Sequence, residues 1–276
     1  MSKTTPSAIG KNVRLSRILK AGKGVIFAFD HGFEHGPNDF EGKRADPRVL
    51  MRLAVDAKFD AVMAMPGIAE ATWEIWAGKV PMIVKLTGKT SLRPLKYQFL
   101  QYKVGLVEEA MAMGADAVAA TIYWGAEREE LMVERFVRLS AECNRFGMPM
   151  LVLSYPRGPA IKSQDDPDVV RYAARASSEV GADLIKTHYT GSKESFQRVV
   201  EASTVPVMMS GGPKETRSID FLRVVESVME AGGAGVVVGR NVFQSRQFMP
   251  LVGALRAIVH EGFNAKRAEE KFGIKG

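Results

Sequence analysis

Short runs of apolar residues alternate along this chain with longer stretches in which apolar residues recur every three or four positions. The apolar runs are continuous, a pattern typical of parallel strands that are covered on both faces. Their positions predict eight strands, at residues 25–29, 61–65, 82–86, 117–123, 150–155, 184–189, 205–209 and 235–238.

A stretch with helical periodicity follows each predicted strand. The helices are predicted at 47–58, 68–76, 104–113, 128–146, 167–180, 193–202, 218–231 and 247–260, after a polar start and a short amphipathic helix at 11–20. Three joints from helix to strand contain Gly-Ala-Asp or Gly-Gly-Ala, at 114–116, 181–183 and 232–234. Glycine at such a joint adopts the left-handed conformation that ends a helix, so the repeats predict βα units.

Eight βα units within about 250 residues predict a single-domain α/β fold, a closed (β/α)8 TIM barrel. We assign 1–20 to an N-terminal extension with the short helix, 21–261 to the barrel and 262–276 to a charged C-terminal tail. A doubly wound open sheet is the alternative, but it usually has fewer strands, and no Gly-x-Gly-x-x-Gly follows the first strand here. Since barrel active sites lie at the C-terminal ends of the strands, polar residues at those ends are the candidates.

The composition argues against a membrane protein and against a disulfide-stabilised one. The 276 residues are 46% hydrophobic and 25% charged. No apolar run reaches the length of about 18 residues that spans a bilayer, and the start lacks the apolar core of a signal peptide. Cys143 is the only cysteine, which suits a reducing compartment, so we expect a cytoplasmic protein with no membrane partner.

The formal net charge of +7 favours anionic partners. The basic residues are spread along the chain, with no run of five or more Lys or Arg and no recognisable nucleic-acid motif. We therefore expect a small phosphorylated partner and no nucleic acid. RNA binding is the weaker alternative, and an affinity that falls steeply with salt would reveal it.

Two lysines stand inside predicted strands, where an ammonium group is costly to desolvate. Lys186 lies in the sixth strand and Lys85 in the third. Such a lysine extends to solvent, has an ion-pair partner, or is uncharged part of the time, and the uncharged amine can attack a carbonyl to form a Schiff base. Residue chemistry alone does not separate the two lysines.

The first predicted strand ends at Asp30, which is followed by His31, Glu34 and His35. The Asp30 carboxylate can point into the mouth of the barrel. Two acids and two histidines so close together also suggest metal ligands. However, the glycines at 32 and 36 are expected to break any helix that would bring the two histidines onto one face. We therefore predict hydrogen bonding or acid–base chemistry here, and no metal.

The later strand ends offer a phenol, cations and glycines. Tyr155 and Arg157 follow the fifth strand, and a tyrosine near a cation can transfer a proton. In many barrels the loops after strands seven and eight bind phosphate, and here they carry Ser210, Gly211, Gly212, Gly239 and Arg240. An amine, a carboxylate, a phenol and a phosphate site suit covalent catalysis on the carbonyl of a phosphorylated sugar.

Seven motifs at these positions resemble, in order, those of the archaeal-type class I fructose-1,6-bisphosphate aldolases, over roughly residues 10–260. The motifs are Phe-Asp-His-Gly-Phe-Glu-His-Gly-Pro, Lys-Leu-Thr-Gly-Lys-Thr, Ala-Thr-Ile-Tyr, Ser-Tyr-Pro-Arg-Gly, Lys-Thr-His-Tyr-Thr-Gly, Met-Ser-Gly-Gly-Pro-Lys and Val-Gly-Arg-Asn-Val-Phe-Gln. The resemblance implies a Schiff-base aldolase without metal or cofactor that cleaves fructose 1,6-bisphosphate reversibly.

The resemblance also implies a role for each matching residue. Lys186 falls on the Schiff-base lysine, Tyr155 on the proton-transferring tyrosine and Asp30 on the active-site aspartate. The residues that we assign to substrate and phosphate binding are Arg157, Ser210, Gly211, Gly212, Gly239, Arg240, Lys85, His31 and His188. Among these, Lys85 becomes a supporting charge beside the site.

Alternatives to this function remain open on the sequence. The related aminodideoxyheptulosonate synthases use the same lysine in a transaldolase-type step toward aromatic amino acids; the phrases at 186–191 and 258–261 favour them, whereas those at 34–37 and 121–123 favour the aldolases. A barrel that binds a phosphosugar without catalysis is a third possibility. The aromatic loop at 87–103 suits a lid or a subunit contact as well as it suits a substrate role. With the charged tail, its apolar and aromatic residues predict a homo-oligomer.

Overall fold

The computed structural model describes residues 5–212 and 215–274, and within them the predicted TIM barrel is confirmed. Eight parallel strands form a closed barrel in which each strand pairs with the next along the chain and the last pairs with the first. The strands are β1 Gly24–Phe29, β2 Ala61–Ala64, β3 Met82–Lys85, β4 Ala117–Trp124, β5 Met150–Pro156, β6 Leu184–Thr187, β7 Val207–Ser210 and β8 Gly235–Val238.

Helices surround the barrel and close its ends. They are α1 Pro6–Ile18, α2 His31–His35, α3 Pro47–Asp56, α4 Pro66–Ala71, α5 Trp73–Trp76, α6 Val107–Ala112, α7 Glu129–Phe146, α8 Pro167–Glu179, α9 Lys193–Ala202, α10 Ser218–Glu230, α11 Arg240–Phe243, α12 Phe248–Glu261 and α13 Ala265–Phe272. Short 3-10 helices occur at Pro37–Asp39, Gly42–Ala45 and Leu95–Tyr97, and a two-stranded hairpin joins Thr87–Gly88 to Tyr102–Lys103. In the described part of the chain, none of the helices has the length and apolarity needed to cross a membrane.

Most predicted elements lie within two residues of their observed bounds, and the exceptions have local causes. The helix predicted at 68–76 is two helices, α4 and α5, separated at Thr72, whose hydroxyl donates to the carbonyl of Ile68 and so competes with the backbone pattern. The first helix begins earlier than predicted, because Thr5 caps it and Pro6 occupies its first turn. The polar start at 1–4 lies outside the described residues.

Three carboxylates close the bottom of the barrel in a repeated arrangement. Each of Asp60, Asp116 and Asp183 precedes an even-numbered strand and accepts a backbone N–H from the preceding odd-numbered strand, at Val25, Met82 and Met150 respectively. Each also meets a cation from a terminal helix: Arg256 at 3.0 Å, Arg17 at 3.0 Å and Lys11 at 2.7 Å. The N-terminal extension is therefore bonded to the bottom of the barrel, opposite the strand ends that carry the candidate chemistry.

The seam where β8 meets β1 requires a glycine. Gly24 pairs with Gly235, whose φ of +112° is unfavourable for other residues, and a Cβ there would lie 2.0 Å from the Gly24 carbonyl oxygen. The segment after residue 262 contains α13, whose Ala265 and Ala268 are buried. That segment therefore packs against the barrel over most of its described length.

Candidate active site

The C-terminal ends of the strands surround a cavity of about 400 Å³. All twelve residues assigned from the sequence to catalysis or substrate binding line this cavity, although they come from six different strand ends. Polar groups that are far apart in sequence are thus brought to one place by closure of the barrel.

Lys85 is locked by two carboxylates. Its Nζ lies 2.6 Å from Asp30 Oδ2 and 2.6 Å from Glu34 Oε1, and the residue is 1% exposed. Burial alone would lower the pKa of Lys85, but the charges of Asp30 and Glu34 outweigh it and raise the pKa above its ordinary value. Lys85 is therefore a fixed cation, and its nitrogen is not available as a nucleophile.

The same ion pair keeps Asp30 ionised. Burial would raise the pKa of Asp30, yet the neighbouring charges, first Lys85 and then His31 and Lys186, lower it well below its ordinary value. Asp30 Oδ1 lies 3.6 Å from His31 Nδ1. Burial lowers the pKa of His31 to about 4 against the opposing effect of Asp30, so this imidazole is neutral beside the carboxylate at neutral pH.

The prediction that glycines would prevent a helix after β1 is wrong. Residues His31–His35 form the short helix α2, and the rings of His31 and His35 lie 5.5 Å apart. The helix is held by Glu34, which is buried against Lys85, so a tertiary ion pair offsets the helix cost of glycine, about 1 kcal/mol. His35 bonds to Asp39, and the described residues contain no group of three His, Cys, Asp or Glu arranged to hold a metal ion.

Lys186 has the opposite environment from Lys85. It lies on β6 between Leu153 of β5 and Met208 of β7, and only 5% of it is exposed. Among residues 5–212 and 215–274, no group forms a hydrogen bond or ion pair with its Nζ. The nitrogen faces the cavity 5.9 Å from the centroid of the Tyr155 ring. No interaction must be broken before this amine reaches a bound carbonyl.

Tyr155 is held by three neighbours. Its hydroxyl lies 3.3 Å from Ser210 Oγ, the Arg157 guanidinium lies 4.9 Å from its ring centroid, and the His188 ring lies 4.7 Å away. Burial, followed by the charges of Arg157 and Lys186, lowers the pKa of His188 to about 3. The phenol therefore stands between a cation and a neutral imidazole, with a hydroxyl partner of its own.

The loops after β7 and β8 use two of their glycines differently from the sequence-based expectation. The Gly211 N–H donates to the Val237 carbonyl at 3.2 Å, so it is not available to a phosphate. A Cβ on Gly239 would lie 2.2 Å from His31 Cε1, so this glycine makes room for the imidazole. Gly212, with φ of +65°, and Arg240 face the cavity. The predicted loop also includes residues 213 and 214, which lie outside the described residues.

Unsatisfied polar atoms mark the cavity independently of any motif. Four buried side-chain atoms that have no hydrogen-bond partner among residues 5–212 and 215–274 line it: His31 Nδ1, Thr121 Oγ1, His188 Nε2 and Arg240 Nε. Buried polar groups are nearly always paired in proteins, because an unpaired one is costly. A cluster of them in one cavity indicates a surface that hydrogen-bonds to a polar ligand.

Sequence reasoning did not assign a role to several residues of the site. Glu34 joins Lys85 to the 87–103 segment, because Gln101 Nε2 lies 3.3 Å from its carboxylate and Ser91 donates to its carbonyl. Gln101 also donates to the Tyr123 hydroxyl at 3.0 Å. Burial, then Glu34, raises the pKa of Tyr123 above its ordinary value. Glu34 and Tyr123 stand at strand ends and were detectable there, whereas Gln101 lies in a loop without any such signal.

Comparison with known proteins shows the family. A profile of the DeoC/LacD family aldolases matches residues 24–245. The class 1 fructose-bisphosphate aldolase of Thermoproteus tenax is 45% identical over 248 residues, which are 88% of this chain and 92% of that protein. The enzyme of the same name from Halobacterium salinarum is 37% identical over 249 residues, 89% of this chain and 94% of that protein.

Solved structures agree with the sequence comparisons. The crystal structure of an archaeal fructose 1,6-bisphosphate aldolase is 44% identical, with a TM-score of 0.84 over 91% of this chain and 99% of that chain. A second archaeal structure has its catalytic lysine covalently bound to the carbinolamine intermediate of the substrate; it is 42% identical, with a TM-score of 0.83 over 90% of this chain and 98% of that chain.

Proposed function

This chain belongs to the DeoC/LacD family of aldolases, and we propose that it cleaves fructose 1,6-bisphosphate reversibly into dihydroxyacetone phosphate and glyceraldehyde 3-phosphate. The reaction passes through a Schiff base on Lys186. One observation carries the proposal: Lys186 is a buried amine without a partner among the described residues, and it faces a cavity beside Tyr155. The aldolase names of the relatives support the same substrate.

The first half of the cycle forms the imine. Lys186 Nζ, in its neutral form, attacks the C2 carbonyl and gives a carbinolamine. The Tyr155 hydroxyl then donates a proton to the departing C2 hydroxyl, which leaves as water, and an iminium and a phenolate remain. The charge of Asp30, kept ionised by Lys85, lies close enough to stabilise the iminium.

The second half breaks the carbon–carbon bond. The Tyr155 phenolate accepts the proton of the C4 hydroxyl, the C3–C4 electrons move into the iminium, and glyceraldehyde 3-phosphate departs. Tyr155 then returns the proton to C3 of the enamine, and water hydrolyses the resulting imine to dihydroxyacetone phosphate. One phenol thus transfers a proton in successive steps, and its bond to Ser210 orients its hydroxyl.

The order of the strands supports one orientation of the substrate, which we propose here. The C1 phosphate lies against Gly212 and Arg240 after β7 and β8, next to the Lys186 strand on one side. The aldehyde half then extends toward β5 on the other side, where Arg157 and His188 line the cavity. Both unsatisfied atoms at these ends, Arg240 Nε and His188 Nε2, gain a partner in this orientation.

The proposed reaction also suggests a metabolic role, a cellular compartment and an oligomeric state. The cleavage serves glycolysis and the condensation serves gluconeogenesis, in the cytoplasm. Burial raises the pKa of the Cys143 thiol to about 12, which keeps the only cysteine unreactive. The exposed side chains Leu92 and Leu95, at 95% and 79%, support a homo-oligomer in which the 87–103 segment contacts another subunit.

Product analysis tests the assignment. Cleavage of fructose 1,6-bisphosphate and the aminodideoxyheptulosonate synthase reaction are measured on one preparation, with and without EDTA. We expect cleavage at an aldolase rate that EDTA leaves unchanged. Activity only in the synthase assay, or loss of cleavage with EDTA, would contradict the proposal, and binding of the bisphosphate without turnover would favour a non-catalytic barrel.

A further inference from the structure

The loop after β7 is attached to the helix after β8 by one side chain. Asn241 is the second residue of α11 and is 5% exposed. Its Nδ2 donates to the Gly211 carbonyl at 2.6 Å, and its Oδ1 accepts the Glu215 N–H at 2.8 Å. Both described ends of the segment between Gly211 and Glu215 are therefore bonded to the same amide.

The orientation of this amide is determined by its partners. A carbonyl oxygen only accepts and a backbone N–H only donates, so the nitrogen must face Gly211 and the oxygen must face Glu215. The Gly211 N–H is also bonded, to the Val237 carbonyl of β8. Both backbone polar groups of Gly211 are thus used to hold the loop on β8 and α11.

The residue next to Asn241 faces the opposite way, into the cavity. Arg240 lines the cavity together with Gly212 and Glu215, and its buried Nε has no hydrogen-bond partner in the described part of the chain. The Asn241 amide therefore sets the distance between Arg240 on α11 and Gly212 on the other loop. This contact, together with the bond from the Gly211 N–H to Val237, joins the two glycine loops recognised in the sequence.

We propose that Asn241 is a positioning residue that holds the loops after β7 and β8 in register to bind the substrate phosphate. The inference rests on the proposed function and adds a residue that does not touch the reacting carbons. Without the amide, Gly212 and Arg240 lose their fixed separation, so phosphate binding weakens while the Lys186 amine is unaffected. The effect should therefore depend on whether the ketone carries a phosphate.

Borohydride trapping on Lys186 can be measured with a phosphorylated and with an unphosphorylated ketone, so it tests whether the effect depends on the phosphate. Adduct formation is measured against concentration for dihydroxyacetone phosphate and for unphosphorylated dihydroxyacetone, in the parent and in Asn241→Ala. We expect the half-saturating concentration of the phosphorylated ketone to rise about tenfold, since the hydrogen bonds to Gly211 and Glu215 are lost. That of dihydroxyacetone should stay at the parent value.

Two further variants control for folding. Asn241→Asp keeps the shape of the side chain and its bond to Glu215 but loses the donor to Gly211 and adds a carboxylate that repels both the Gly211 carbonyl and the phosphate, so it should also raise the half-saturating concentration of the phosphorylated ketone alone. Asn264→Ala removes the amide that caps α13, away from the cavity, and should behave as the parent does with both ketones.

Several results would overturn the inference. An equal rise for both ketones would mean that Asn241 is merely structural, and no rise in either variant would mean that it does not position the phosphate site. If the parent forms no adduct on Lys186 with either ketone, the proposed function fails and the inference fails with it. The parent and variant arms thus distinguish failure of the function from failure of the positioning role.

Discussion

Each of two sides of the barrel mouth contains a buried lysine, and the two lysines differ in their ion-pair partners. Lys85 is the last residue of β3, Lys186 is the last but one of β6, and they are 1% and 5% exposed. Lys85 has two carboxylates at 2.6 Å, whereas no described residue pairs with Lys186. Residue type, strand position and burial are therefore nearly the same, and the difference lies in the partners: Lys85 is fixed between two carboxylates, and Lys186 has no ion pair with any described residue.

The residues around the two lysines also differ in charge. The Lys85 side is ionic, with Asp30 and Glu34 both buried around the ammonium group. The Lys186 side has no buried carboxylate against the lysine; beside Arg157 it offers neutral groups that can hydrogen-bond, namely Tyr155 and the His188 imidazole, whose pKa burial lowers to about 3. A charged network resists change, while neutral groups can pass protons during a reaction. We therefore expect the Lys85 side to contribute to stability and to the electrostatics of the site, and the Lys186 side to carry out the covalent chemistry.

Removing each lysine in turn is the strongest test of this contrast. Lys186→Met should lower turnover of fructose 1,6-bisphosphate below about 10⁻⁴ of the parent rate, because the nucleophile is lost. Peptide mapping after borohydride reduction should place the substrate adduct of the parent on Lys186. The matched variant Lys85→Met should still form that adduct. An adduct on Lys85 would reverse the assignment of the two sides.

Tyr155→Phe tests proton transfer on the neutral side. The ring keeps its contacts with Arg157 and His188, but the hydroxyl is lost, so kcat should fall by about 10²–10⁴-fold. Steady-state kinetics measures the loss, and borohydride should still trap an adduct with the variant. Unchanged turnover would remove Tyr155 from the proposed proton transfers.

The ion pairs of Lys85 should contribute mainly to the free energy of unfolding. Lys85→Met leaves Asp30 and Glu34 buried without their cation and should destabilise the fold by about 3–5 kcal/mol. Lys186→Met removes a lysine that has no counter-ion among the described residues and should cost far less. Urea unfolding of both variants at neutral pH measures the difference. Equal losses would show that Lys186 also has a structural partner.

The most gradual effect concerns the dependence of stability on pH through His188. Its folded pKa of about 3 lies below the ordinary value of 6.5, so the unfolded chain takes up a proton that the folded protein does not. Stability should therefore fall as pH falls below 6.5, by about 1.4 kcal/mol per pH unit from this group. His188→Gln removes that contribution and should flatten the acid side of the stability profile. Unfolding curves between about pH 4 and 7 measure the slope, and identical slopes would mean that His188 is not buried as a neutral group.

Several features of the fold were predictable because they depend on neighbouring residues. The continuous apolar runs and the glycines that end helices are local signals, and they predicted the eight strands of the barrel. The site was predictable to the level of its location, since the fold places strand ends such as Asp30 and Tyr155 around one mouth. The helix at His31–His35 was not, because it depends on the ion pair between Glu34 and Lys85.

By itself, the sequence determined the barrel, the position of its mouth and the chemical groups around that mouth, and its motifs pointed to the aldolases. Only the tertiary structure decided how those groups are used. Lys85 meets Asp30 across 55 residues, and Asn241 meets Gly211 across 30. Such contacts leave no periodic pattern, because they depend on which side chains closure of the barrel brings within hydrogen-bonding distance. The difference between a fixed cation at Lys85 and a free amine at Lys186 arises at that level.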